Sequence, residues 1–252
     1  MLDKLSFNGI FIPRKIDEIE EKEKTRIQKL LQQEIIEGDL DLQGINQIED
    51  LGNVREVRGN LDLRNSSIKS LENLEYIGES LLASNTPIQS LGNLRYVGED
   101  LNLRNTPIQS LEKLERVEGN LDLESTPIQS LGNLRYVGGY LDLHNTPIQS
   151  LGNLEYVGSW LDLQKASIQS LGNLHYVRGW LDLRDTPIQS LGNLERIGEW
   201  LSLRNTSIQS LGNLRYVGKD LYLRNTSLSK LPEEELNRIL SKIEIGGEVY
   251  VE

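Results

Sequence analysis

The 252-residue chain has no cysteine, two histidines, one methionine and two phenylalanines. The lack of cysteine excludes a disulfide framework, Cys-ligated zinc, iron–sulfur clusters and thiol catalysis. Two histidines leave almost no room for a His-based metal centre, and neither a metal nor any other cofactor is expected. No run approaches the ~18 apolar residues of a membrane-spanning helix. The opening MLDKLSFNGIFIPRK lacks an apolar segment followed by a small-residue cleavage site, so the expectation is a cytoplasmic protein with no membrane contact. Lys and Arg number 27 against 38 Asp and Glu, and a net charge of −11 argues against direct nucleic-acid binding through phosphates. Hydrophobic residues reach only 37%, a level that by itself raises the question of disorder.

What is present is a repeat. From Leu61 to Leu223 the sequence recurs every 20 residues without insertion or deletion. An earlier copy begins at Leu40 with one extra residue. A partial copy closes the chain, where Ile245, Val249 and Val251 match Val217, Leu221 and Leu223. Each unit has six apolar positions, for example Leu101, Leu103, Ile108, Leu111, Leu114 and Val117. The first two alternate, the period of a strand with one buried face. The other four fall on every third residue, which predicts short turns or 3₁₀ pieces. Gly98 and its equivalents are read as sharp turns into the next strand. One unit cannot enclose a core but stacked units can, so a solenoid is expected. The prediction is a mainly β repeat solenoid with one parallel sheet of about eleven short strands and a helical cap at each end.

The expected divisions are an N-terminal helical cap over residues 1–39, the solenoid over 40–231, and a C-terminal cap with a last strand over 232–252. An amphipathic helix is predicted over 15–36, carrying Ile16, Ile19, Ile27, Leu30, Leu31, Ile35 and Ile36. A second is predicted to begin at Leu231-Pro232 and to cover the last coil with Leu236, Ile239, Leu240 and Ile243. Over roughly residues 36–251 the units resemble the leucine-rich repeat family, whose pattern maps onto Leu101, Leu103, Thr106 and Ile108. Two departures stand out: Gly98 falls where the family has its first Leu, and Thr106 where it has Asn or Cys. The Val117-x-Gly119-x-Leu121-x-Leu123 rhythm is also similar to receptor L domains. The resemblance implies a parallel solenoid with a concave binding sheet, and it names no ligand.

In such a sheet equivalent residues stack about 4.8 Å apart, so the positions flanking the two strand leucines form exposed columns. The column before the first Leu includes Tyr140, Trp160, Trp180 and Trp200, and so holds all three tryptophans. The column between the leucines includes Asp122, Asp142, Asp162 and Asp182, and the one after them His144, Arg184 and Arg204. Consecutive stacked aspartates repel one another unless something compensates. Two readings stay open. In one, the aromatics and acids, together with His144, Arg184 and Arg204, form a partner-binding patch for a protein or peptide, with a basic one favoured. In the other, the rings pack on themselves and the aspartates pair with Arg184, Arg204 or Arg104. The Asn, Thr and Ser columns are expected to hydrogen-bond to neighbouring coils, and the Tyr column from Tyr76 to Tyr216 to cover the core edge.

Catalysis is not expected. His144 lies near Asp142 and Asp162, but every hydroxyl in reach belongs to a repeated column, and an open sheet offers no water-excluding pocket. The expected function is a non-enzymatic protein-binding scaffold. Carbohydrate binding through the Trp ladder, and an acidic decoy that blocks a DNA-binding protein, are the alternatives. A homo-oligomer is left open.

Overall fold

The structure, a computed structural model, describes residues 21–252, with side chains from residue 25. It is a parallel β-solenoid with two sheets of eleven two-residue strands each. One sheet is built from the alternating leucines, as in Leu101–Asn102 and Leu121–Asp122. The other is built from the tyrosine and valine positions, as in Tyr136–Val137 and Tyr156–Val157. Register is strict in both, with Leu121 opposite Leu141 and Val137 opposite Val157. A third line of contact runs through isolated bridges between serines, such as Ser110 with Ser130.

The second sheet corrects the single-sheet expectation. Val117 and its equivalents are strand residues, because each also pairs with the coil on either side. The remaining triplet positions do form turns: the Leu114 N–H donates to the Leu111 carbonyl at 3.0 Å. Among the described residues 3₁₀ helix occurs only at Leu228–Lys230, outside the regular coils. All six apolar positions point inward, and Leu103, Ile108, Leu111, Leu114 and Val117 are fully buried.

Most regular coils turn two corners through left-handed residues, one at the Asn column (Asn105, φ 57°) and one at a Gly column (Gly172, φ 57°). Gly98 serves a different purpose from the turn expected of it. A Cβ there would lie 1.9 Å from the Gly78 carbonyl oxygen, so its column is set by the close approach of consecutive coils.

Both predicted caps are helical, with altered limits. Helix α1, Glu21–Leu30, buries Ile27 and Leu30, with Leu31 just after it, against the first coil. The predicted helix ran on to 36, but Ile35–Ile36 is a strand paired with Glu56–Val57, and Ile35 is exposed. Its predicted Ile16 and Ile19 lie outside the described residues. Helix α2, Glu233–Leu240, follows Pro232 with three glutamates in its first turn and buries Leu236. Ile239, Leu240 and Ile243 pack against the core while staying partly exposed. The partial copy ending the chain forms strands in register, Ile245 on Val217 and Val249 on Leu221. No helix among the described residues is long and apolar enough to cross a membrane.

Candidate functional site

Strict register along the leucine sheet brings the aromatic column into one stack. Tyr140 lies on Trp160 with centroids 4.1 Å apart, Trp160 on Trp180 at 4.8 Å, and Trp180 on Trp200 at 4.7 Å. Interplanar angles are 2°, 0° and 5°, so the rings are parallel plates facing along the solenoid. All four are half-buried. Tyr222 closes the far end edge-on to Trp200. Ring faces are thus covered by neighbouring rings, and ring edges remain to meet solvent. Each stacked pair adds roughly 0.5–1.5 kcal/mol beyond its buried area.

The aspartate column is less exposed than the sequence predicts. Asp122, Asp142 and Asp162 are half-buried, and Asp182 is 1% exposed. Each accepts a hydrogen bond from the backbone N–H two residues on: Glu124 to Asp122 (3.0 Å), His144 to Asp142 (2.9 Å), Gln164 to Asp162 (2.8 Å) and Arg184 to Asp182 (3.0 Å). These turns, in which a short carboxylate closes the bend after the strand, give the column a local structural role that repetition alone did not reveal.

Compensation by arginine is uneven. Arg184 pairs with Asp182, Nη2 to Oδ2 at 2.5 Å, and its Nε also donates to that carboxylate. Arg104 pairs with Glu124 and not with an aspartate. Arg204, an expected partner for this column, reaches no carboxylate among the described residues. Its guanidinium lies over the Tyr222 ring at 4.4 Å, and its buried Nε has no hydrogen-bond partner. Ser202, in the aspartate column beside it, is 3% exposed with its hydroxyl likewise unpartnered. Asp142 and Asp162 make no ion pair among the described residues. Burial pushes the Asp142 carboxyl up to about 6, aided by repulsion from Asp162, Asp122 and Glu124 and opposed by the His144 N–H. Burial also raises Asp122 and Asp162.

Carboxylate oxygens of Asp122, Glu124 and Asp142 lie within 4.8 Å of one another. The Arg104 guanidinium on Glu124 already brings a cation to that cluster. His144 contributes its backbone N–H to the column.

The tyrosine sheet carries a second ladder that sequence reasoning reduced to core cover. Tyr76 stacks on Tyr96 and Tyr136 on Tyr156, both at 5.0 Å, and Arg116 lies over Tyr136 at 3.6 Å. Its signal was visible: Arg116 and Arg196 replace Tyr in that column, and an Arg plane stacks on a ring as another ring does. The polar columns also differ from expectation. Thr106 and its equivalents donate to the carbonyl three residues earlier in their own coil. Ser110 and Ser130 accept from N–H groups two residues on. Asn73 and Asn93 do reach the neighbouring coil's backbone, as expected. No protein-family model matches the chain, and none of the curated proteins compared with it matches.

Proposed function

We propose that the protein is a non-catalytic, leucine-rich-repeat-like scaffold that holds a protein or peptide partner on the face of its leucine sheet. The observation carrying this reading is the half-exposed four-ring stack Tyr140–Trp160–Trp180–Trp200, bordered by the unpaired carboxylates of Asp142 and Asp162. Rings already fixed by stacking lose little freedom on binding, and aromatic anchors beside charged groups are characteristic of binding hot spots. The geometry favours a protein over a sugar, because a sugar stacks on an open ring face and here the inner faces are covered. It also disfavours a nucleic-acid mimic, since the aspartates are held down by their own backbone instead of standing out like phosphates.

The test is the double variant Trp160→Ala/Trp180→Ala. It should keep the wild-type far-UV circular dichroism and lose a protein that the wild type captures, with the loss reproduced using the purified pair. An unchanged capture profile would overturn the assignment of the face, and binding on a glycan array would favour the sugar reading.

A further inference from the structure

We infer that the partner received on the leucine-sheet face is a second copy of this chain, docked face to face with the two solenoids running antiparallel. This rests on the reading of the face as a binding surface and names its occupant.

The argument is one of symmetry. A two-fold axis lying in the interface along the strands returns each column to itself and reverses the order of the coils. The aromatic stack has four rings, so its midpoint falls between Trp160 and Trp180. Reversal about that midpoint sets Trp160 against Trp180 of the second copy, and Tyr140 against Trp200. The charges invert about the same point. In the two columns beside the rings, the three coils before it carry Asp122, Glu124, Asp142 and Asp162 with no Lys or Arg. The three coils after it carry Arg184, Arg204 and Arg224 against the single carboxylate of Asp182.

Reversal brings unpaired Asp142 and Arg204 together, while at the centre Asp162 meets the Asp182–Arg184 pair. Asp142 and His144 face Ser202 and Arg204 of the second copy, where Arg204 has no carboxylate of its own. Asp122 and Glu124 face Tyr222 and Arg224; Arg224 makes no ion pair among the described residues, and Glu124, which holds Arg104 in its own chain, has a second oxygen edge to share. One coil further out, Arg104 faces Glu252. Parallel docking would instead place the acidic coils over acidic coils, so charge selects the antiparallel arrangement. Symmetry doubles each contact around an aromatic centre, giving an apolar core with a charged rim. The contact uses the same face on both chains, so it closes at two copies.

Sedimentation equilibrium across the micromolar range tests this. The wild type should be a dimer. Arg204→Glu and Asp142→Arg should each weaken self-association by at least about tenfold, since each sets like charges together twice. An equimolar mixture of the two variants should recover a heterodimer, because every reversed contact then meets its opposite. Circular dichroism checks that each variant is folded, and Arg224→Glu with Glu124→Arg provides an independent pair. A monomeric wild type, or variants that dimerise like the wild type, would overturn the inference. A monomeric wild type that still captures another protein through Trp160 and Trp180 would remove self-docking alone and leave the binding face standing.

Discussion

Asn145, Lys165 and Asp185 occupy the same corner of successive coils with φ of 58°, 59° and 60°. Asn and Asp tolerate this left-handed conformation better than other non-glycine residues, which is the physical reason the column is rich in them. Their side chains add a ladder of their own, as where Asn205 donates to Asp185 at 2.8 Å and Asn225 to Asn205 at 3.0 Å. The column was legible in the sequence, but its backbone cause was not, because one residue's φ leaves no periodic trace. The same holds for Asp142. Its repetition was visible, and its half-burial came from the stacking of coils that sets the ring column on one side of it and Glu124, His144 and Gln164 on the other. Its carboxyl titrates at about 6, above the ordinary carboxylate value, so the folded state holds the proton more tightly than the unfolded one. Asp142 therefore opposes folding above pH ~6 and ceases to do so below pH ~4. Asp142→Asn keeps the acceptor for the His144 N–H, as Asn102 does for Arg104. In dilute protein it should stabilise the fold by about 1 kcal/mol at pH 7, after allowing for solvent screening, with the gain vanishing near pH ~4. Urea unfolding at the two pH values measures both.

Among the elements, helix α1 and the strand Ile35–Ile36 divide a segment whose apolar residues had suggested one helix. The helical period and the strand alternation overlap where Ile35 and Ile36 stand together, and pairing with Glu56–Val57 decides between them. The helix covers the first coil, where Ile36, Leu40 and Leu42 are as buried as residues in the middle of the solenoid. Ile27, 2% exposed, is the most deeply buried of the helix's described side chains. Ile27→Ala should destabilise by roughly 2–5 kcal/mol. Hydrogen exchange should show the loss first at the amides of residues 36–42, because coils beyond them keep both neighbours. Uniform loss along the chain would show that the helix is not acting as a cap.

The whole molecule is a stack in which each coil contacts only its neighbours, so its stability is close to a sum of coil and interface contributions. Six inward residues per 20-residue unit suffice for a core this narrow, which is why 37% hydrophobic content supports a folded chain. Charges on the flank reinforce the register, with Arg55 on Glu75, Arg95 on Glu115 and Arg135 on Glu155 in one alternating column. Deleting residues 81–100, one complete unit away from the Trp stack, should leave a cooperative solenoid with urea m reduced by roughly a tenth. Loss of folding on that deletion would show that the coils are not interchangeable.

The sequence by itself determined the solenoid, its 20-residue unit, the inward leucines and the columns, because a period without insertions fixes which residues stack. Tertiary structure decided what the columns do. The second sheet arises because Val117 and its equivalents pair across coils, a contact that no local pattern encodes. Strict register turns the Trp column into a closed stack and presses Asp182 and Ser202 out of solvent. It also settles which charges are neutralised at home, Arg184 by Asp182, and which, as at Asp142 and Arg204, are not.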